Sequence, residues 1–212
     1  ANYFKGSPKR KHALETVQQR LQLPKGIPAL DGFTRVVSCH KLLQTSILHY
    51  YAMKKLYSTD LDKSNNSEFV PLFKSVSEES WLLAAEMESL TFQLVNYAIG
   101  ELQIDRVTSA TIFFYRYVCG KYSDQELFQV LDLNHRPNTN TMITTFPRVS
   151  KQLVYFSDNG KICNTRLKEQ LKLRFKFDKD YQFLPVFLDP VTCPLASKLI
   201  PEEYYNEALL CF

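Results

Sequence analysis

The sequence predicts a mainly α-helical fold with a smaller α+β part, in which a helical bundle precedes a unit with a β-hairpin and one basic-faced strand. Three observations support this prediction. Only six of the 212 residues are glycine, whereas Phe and Tyr together number 27, which favours long packed helices. Apolar residues recur with helical spacing in the first half of the chain. In the second half, an Asn-Gly turn signal and a period-two stretch indicate strands.

Four parts follow from the changes in pattern along the chain. We expect a basic N-terminal tail and first helix, a helical bundle, an α+β unit, and a Pro-rich extended strap that ends in a C-terminal helix, at residues 1–28, 29–120, 121–180 and 181–212. The chain begins with Ala and ends in Leu-Leu-Cys-Phe, so we expect it to be a domain of a larger protein.

The first half carries the helical signals. Apolar residues are spaced as on a helix over residues 11–21, 33–57, 78–100 and 107–118. Glu78 and Glu79 suit a helix N-terminus, where the helix dipole favours negative charge. The last of these segments is apolar nearly all round, which is typical of a central, buried helix.

The second half gives shorter signals. Ser123 can cap a short helix that reaches Leu131, and a further helix is indicated before or after Pro147. Ser157-Asp158-Asn159-Gly160 lies between two apolar stretches and predicts a hairpin turn. This order of elements resembles a winged-helix domain over residues 105–165. The resemblance implies base contacts from a recognition helix and phosphate contacts from its flanks, with Asn138, Asn140 and Thr141 for the groove and Arg148, Lys151 and Lys161 for the backbone.

A period-two stretch at Leu171–Phe177 predicts a half-buried strand. Its polar side would carry Lys172, Arg174 and Lys176 about 6.5 to 7 Å apart, a row that could follow a phosphate backbone. An edge strand that uses cations to discourage aggregation is the alternative interpretation. Arg166 and Lys168, just upstream, favour the functional interpretation.

Positive charge is concentrated in two stretches. The first 25 residues carry six basic residues and one acidic residue, and residues 148–181 carry nine basic and four acidic residues. Clustered positive potential attracts phosphate groups or acidic surfaces more strongly than scattered charge does. The pattern therefore favours a nucleic acid or an acidic protein as partner over a small neutral substrate.

The N-terminal segment contains two short signals. Ser7-Pro8 followed by basic residues resembles a substrate of proline-directed kinases, and Pro8-Lys9-Arg10-Lys11 resembles a nuclear import signal. A phosphate on Ser7 would add nearly two negative charges beside Lys9, Arg10 and Lys11. We therefore predict a nuclear phosphoprotein.

No catalytic, cofactor or metal-binding signature is present in the sequence. It lacks a Gly-rich phosphate loop, a Gly-x-Ser-x-Gly elbow and paired metal ligands, and His40, His49 and Cys39 match no zinc spacing. We therefore expect no enzyme activity, cofactor, metal or small-molecule substrate. No apolar run approaches the roughly 18 residues of a membrane span, and no signal peptide opens the chain. Five widely spread cysteines are typical of reduced thiols.

The stretch Cys119-Gly120-Lys121-Tyr122-Ser123-Asp124 resembles a Gly-Arg-x-Ser-Glu/Asp stretch of tyrosine recombinases. In that family the stretch follows a buried helix and carries a catalytic arginine. Here Lys121 stands at the position of that arginine, and no His-x-x-Arg follows. The resemblance implies at most a recombinase-like DNA-binding relic without catalysis.

These observations lead to one hypothesis and one rival. The first is a non-enzymatic nuclear module that assembles with other proteins on DNA or chromatin and binds the phosphate backbone of duplex DNA. The rival is a scaffold subunit whose basic residues meet an acidic partner protein, with aromatic residues as anchors.

Overall fold

The computed structural model describes residues 2–28, 36–56, 73–93, 95, 109–133, 147–174 and 180–210. Within these residues the protein is mainly helical, with one two-stranded antiparallel sheet, which confirms the predicted fold class at that level. The chain divides into two compact units, each built from two segments. The first unit comprises Ala1–Thr91 and Leu127–Gly160, and the second comprises Phe92–Glu126 and Lys161–Phe212. None of the described helices is both long enough and apolar enough to cross a membrane.

The helices of the first unit are α1 (Asn2–Lys5), α2 (Pro8–Arg20), α3 (Val36–Leu56) and most of α4 (Glu78–Gln93). Ser7 is the N-cap of α2: its backbone is extended (φ −146°, ψ 112°), and its hydroxyl accepts a hydrogen bond from the Arg10 N–H at 3.4 Å. Pro8 at the first helical position suits this start because its missing N–H would have no helical partner there. Thus the predicted tail is helical from Asn2 onward, apart from a short break before α2.

The core of the first unit forms around α2 and α3. Its buried apolar side chains are contributed by these two helices, by α1 and by the segment that follows α2: Phe4, Leu14, Leu23, Ala52, Met53 and Leu56. Trp81 of α4 packs beside this core and contacts the ring of Tyr50, with ring centroids 4.9 Å apart.

The sheet consists of β1 (Leu127–Leu131) and β2 (Arg148–Gln152), paired antiparallel with Val130 opposite Val149. The helix predicted from Ser123 to Leu131 is therefore wrong. Of the two positions predicted for the next helix, the one after Pro147 is also wrong, and the one before Pro147 lies outside the described residues. In β1, Phe128 and Val130 are buried whereas Leu127 and Gln129 are exposed, which is the alternation of a half-buried strand. Five residues are too few for apolar spacing alone to separate this strand from a short helix.

A long helix, α6 (Asp158–Arg174), occupies the place of the predicted hairpin turn and the start of the predicted basic strand. The hairpin prediction is wrong because Ser157 caps a helix here, accepting a hydrogen bond from the Gly160 N–H at 3.1 Å. The strand prediction is wrong for residues 171–174, which are the last turn of the same helix. The rest of the predicted strand, residues 175–177 with Lys176, lies outside the described part of the chain. Because 127–131 is a strand and 158–163 is helical, the winged-helix unit is not confirmed.

The second unit also contains α5 (Ser109–Ser123), which precedes β1, and the helices α7 (Leu184–Leu188), α8 (Ala196–Leu199) and α9 (Glu202–Leu210) after α6. The segment predicted as an extended strap is largely short helices. Pro185 stands in the first turn of α7 and Pro194 in the first turn of a 3₁₀ helix at Cys193–Leu195, where proline is tolerated. The predicted C-terminal helix is confirmed by α9. These short helices share a buried apolar core with Phe113 of α5. The ring of Phe183, just before α7, lies 5.3 Å from that of Phe113.

Candidate functional site

Two glutamates of α4, Glu86 and Glu88, are fully buried in the first unit. A buried carboxylate is costly unless it is paired and hydrogen-bonded. The residues that compensate these two charges include two that the sequence predicted as phosphate ligands, Arg148 and Lys151.

Glu88 forms a bidentate ion pair with Arg148. Arg148 Nη1 donates to Glu88 Oε2 at 3.0 Å and Nη2 donates to Oε1 at 2.8 Å, while Nη1 also donates to the carbonyl of Gln129 at 2.7 Å. Burial raises the pKa of Glu88, and the contacts with Arg148 oppose that shift. The pair fastens β2 to α4 and leaves only 17% of the Arg148 side chain exposed.

Glu86 accepts hydrogen bonds from Lys151 Nζ at 2.8 Å, from the Ser157 N–H at 3.0 Å and from the Ser157 hydroxyl at 2.5 Å. Since Ser157 is the cap of α6, the carboxylate lies beside the N-terminus of that helix, where the dipole stabilises negative charge. A Cβ atom added to Gly160 would overlap Glu86 Oε2. The hydroxyl of Ser157 is therefore engaged as donor and acceptor, and this cluster stabilises the first unit.

Two buried histidines complete the polar interior. His40 Nδ1 lies 3.1 Å from the Thr91 hydroxyl and its Nε2 lies 3.5 Å from Glu88 Oε1. Burial and the nearby Arg148 charge lower the pKa of His40 to about 4, so the ring is neutral near neutral pH.

His49 accepts a hydrogen bond at Nδ1 from the Gln18 side-chain amide at 3.0 Å, because an amide nitrogen only donates. Burial lowers the pKa of His49 to about 4 as well. Gln18 also exchanges two hydrogen bonds with the backbone of Gly26. Both histidines are thus packing residues of the first unit. Among the described residues no group of three or more His, Cys, Asp or Glu side chains could hold a metal ion.

The other predicted phosphate ligands that the structure describes lie along α6 in the second unit. Lys168 is paired with Asp124 at 3.0 Å, Arg166 and Lys172 are exposed, and Lys161 is half-buried. Arg174 is the last residue of α6. The predicted groove residues and the last cation of the predicted strand lie outside the described residues: Asn138, Asn140, Thr141 and Lys176. Arg148 and Lys151, by contrast, belong to the first unit.

The residues of the N-terminal signals lie at the start of α2. Ser7 is its N-cap, and the side chains of Lys9, Arg10 and Lys11 are exposed in the first turns. Lys11 Nζ is 3.7 Å from Glu15, one turn further along the same helix.

No family model, curated protein sequence or solved structure matches this chain. Its function must therefore be argued from the side-chain arrangement alone. Glu86 and Glu88 were not predicted as site residues, because two carboxylates at positions i and i+2 of a helix form no recognisable motif. The side chains that donate hydrogen bonds to them are 60 to 71 residues away in the sequence.

Proposed function

We propose that this chain is a non-enzymatic assembly module of a nuclear DNA- or chromatin-associated complex, and that α6 contacts the phosphate backbone of duplex DNA. The observation that supports this proposal is the charge of α6, which carries five cations and two acidic residues among 17 positions. A cationic helix of this kind can lie in or across the major groove, which admits an α-helix.

The three lysines of α6 share one side of the helix. Lys168 follows Lys161 by seven residues and Lys172 follows Lys168 by four, and these offsets return to nearly the same direction at 3.6 residues per turn. The pairing of Lys168 with Asp124 involves partly exposed side chains, so it contributes little and a phosphate could replace it. Arg148 and Lys151 take no part in this contact, since buried glutamates already neutralise them.

Fluorescence anisotropy with a short duplex, measured over a range of salt concentrations, tests the proposal. If Lys172 contacts a phosphate, Lys172→Glu should weaken binding and flatten the slope of log affinity against log salt by about 0.9. Lys41→Glu is the matched control, because Lys41 is an exposed lysine on α3 in the first unit. Equal effects of the two variants, or no binding at low salt, would reject DNA contact through α6.

Nuclear import in this proposal depends on Lys9, Arg10 and Lys11. A phosphate on Ser7 would stand at the N-cap of α2, where the helix dipole favours negative charge, so it would mask these cations without unfolding the helix. A fluorescent fusion of the chain should leave the nucleus when all three residues are changed to Ala. Undiminished nuclear accumulation of that variant would reject the import signal.

A second candidate function is a scaffold that binds an acidic partner protein, and exposed apolar residues of α6 favour it. Ile162 and Leu173 are 50% and 69% exposed, and eleven residues separate them, so they share a side of the helix. Solvent-exposed apolar side chains flanked by cations suit an acidic, partly apolar surface better than a phosphate backbone. If this function is the correct one, Leu173→Gln should abolish capture of a partner from nuclease-treated extract, whereas DNA affinity should stay unchanged.

A further inference from the structure

A pocket in the second unit combines three cations with an aromatic wall. It lies between α5 and the segment that links α8 to α9, and its volume is about 250 Å³. The residues on which its chemistry depends are Arg116, Tyr117, Gly120, Lys121, Asp124 and Lys198. We call this the α5 pocket.

Positive charge exceeds negative charge around the α5 pocket. Arg116 is half-buried, and Lys121 and Lys198 are exposed at its rim. Of the nearby carboxylates, Asp124 pairs with Lys168, and Glu203 acts on Arg116, where it opposes the lowering of the arginine pKa by burial. Among the described residues that line this pocket or form these contacts, the four cations Arg116, Lys121, Lys168 and Lys198 outnumber the two carboxylates Asp124 and Glu203, an excess of two positive charges.

Lys121 is held in place by an aromatic ring. Its Nζ lies over the ring of Tyr117, 5.6 Å from the centroid, a contact that positions an ammonium group without neutralising it. The three N–H groups of the ammonium remain able to donate to an anion.

Gly120 lines the α5 pocket and has open space where a side chain would stand. A Cβ atom built at this helical position would meet nothing within 4 Å. Most helical residues would fill that space with a side chain, so the glycine maintains room beside the cations.

We propose that the α5 pocket binds a phosphate group. The planar guanidinium of Arg116 and the ammonium groups of Lys121 and Lys198 donate hydrogen bonds to its oxygens. A phosphate dianion matches the excess of two positive charges, and a guanidinium with flanking ammonium groups is a preferred arrangement for phosphate. This site goes beyond the proposed DNA contact, because it requires neither α6 nor a nucleic acid.

Isothermal titration of the whole chain at constant ionic strength tests the proposal, with inorganic phosphate, phosphoserine and adenosine 5′-monophosphate as separate probes. We expect all three to bind. Lys121→Ala and Lys198→Ala should each weaken binding by about tenfold, the loss typical of one charge-assisted hydrogen bond. Gly120→Leu should abolish binding while the melting temperature stays the same or rises.

Lys41→Ala serves as the matched control and should bind as the wild type does, as should Lys172→Glu. Lys172→Glu separates the two proposals, because it should weaken binding to DNA and leave phosphate binding in the α5 pocket unchanged. Tighter binding of the nucleotide than of phosphoserine would indicate that Tyr117 also contacts a base, and equal binding would indicate recognition of the phosphate alone. The proposal is overturned if phosphate fails to bind, if succinate binds as tightly, or if Gly120→Leu binds normally.

Discussion

The backbone of Gly160 lies so close to the buried carboxylate of Glu86 that no side chain fits between them. Gly160 belongs to the first turn of α6, and Glu86 accepts hydrogen bonds from Ser157, the cap of that helix. This contact fixes the start of α6 against α4. A side chain at position 160 would therefore displace the carboxylate of Glu86 from its hydrogen bonds.

Substitution of Gly160 by Ala should therefore destabilise the protein by about 1 to 3 kcal/mol, the usual cost of forcing extra volume into a packed site. Gly120→Ala is the matched control, because Gly120 is also helical but has open space at its Cβ position. That substitution should stabilise by about 0.5 to 1 kcal/mol, since Ala loses less backbone entropy than Gly on folding. Urea denaturation measures both changes, and equal effects of the two substitutions would contradict the close contact with Glu86.

The ion pair of Glu88 and Arg148 predicts a strong asymmetry between single and double variants. Arg148→Met would leave a buried carboxylate without its partner and should cost about 3 to 5 kcal/mol. The double variant Arg148→Met with Glu88→Leu should recover most of that loss, because neither charge of this pair remains. Lys54→Met is the control, since the Lys54–Glu78 pair is largely exposed and should be worth at most about 1 kcal/mol. A double variant no more stable than Arg148→Met alone would contradict this account.

The helical half of the chain was predictable because its signal is periodic and long. The segments predicted at residues 33–57 and 107–118 correspond to α3 (Val36–Leu56) and α5 (Ser109–Ser123). Each carries several turns of apolar spacing, so the type of element was predictable although α5 ends five residues later than predicted.

The second half was not predictable from local signals, because distant contacts decide it. Ser157-Asp158-Asn159-Gly160 suits a hairpin turn as well as a helix N-terminus, and the contact that selects the helix comes from Glu86, 71 residues earlier in the chain. In the same way, the basic residues Arg148 and Lys151 gave no sign that buried glutamates would neutralise them. Counting charges along a sequence does not show which of them pair inside the fold.

The C-terminal end of α2 gives a third prediction. Gln22 adopts a left-handed conformation with φ 54°, while the Leu23 N–H donates to the Gln18 carbonyl at 2.9 Å. Glycine is the usual residue at this position of a helix end because it has no Cβ. Gln22→Gly should therefore stabilise the protein by up to about 1 kcal/mol.

Gln19→Gly supplies the control for this prediction, since Gln19 is exposed within α2. It should lower stability by about 1 kcal/mol, the cost of glycine within a helix. Thermal unfolding would show the two glycine substitutions moving the melting temperature in opposite directions, and a fall for both would contradict the strained conformation of Gln22.

The buried histidines predict a loss of stability in mild acid. The pKa values of His40 and His49 are lowered from 6.5 to about 4 in the folded protein. The unfolded chain therefore takes up two protons as the pH falls below 6.5, whereas the folded protein resists them until about pH 4. Stability that is fully present above pH 6.5 is thus lost as the pH falls through this window. Burial raises the pKa of Glu88, so the folded protein takes up this proton at a higher pH than the unfolded chain does. This carboxyl therefore opposes the histidines and reduces the slope of the free energy of unfolding against pH.

Between about pH 7 and pH 5, each histidine should remove about 2 kcal/mol from the free energy of unfolding, as follows from about 1.4 kcal/mol per pH unit. His49→Gln should flatten this dependence because it removes one titrating group that lies away from Glu88. His12→Gln is the control, since His12 is exposed in α2. Urea denaturation at several pH values measures the slope of the free energy of unfolding against pH. An identical slope in the wild type and His49→Gln would contradict this account, because it would mean that the folded and unfolded states take up the proton of His49 at the same pH.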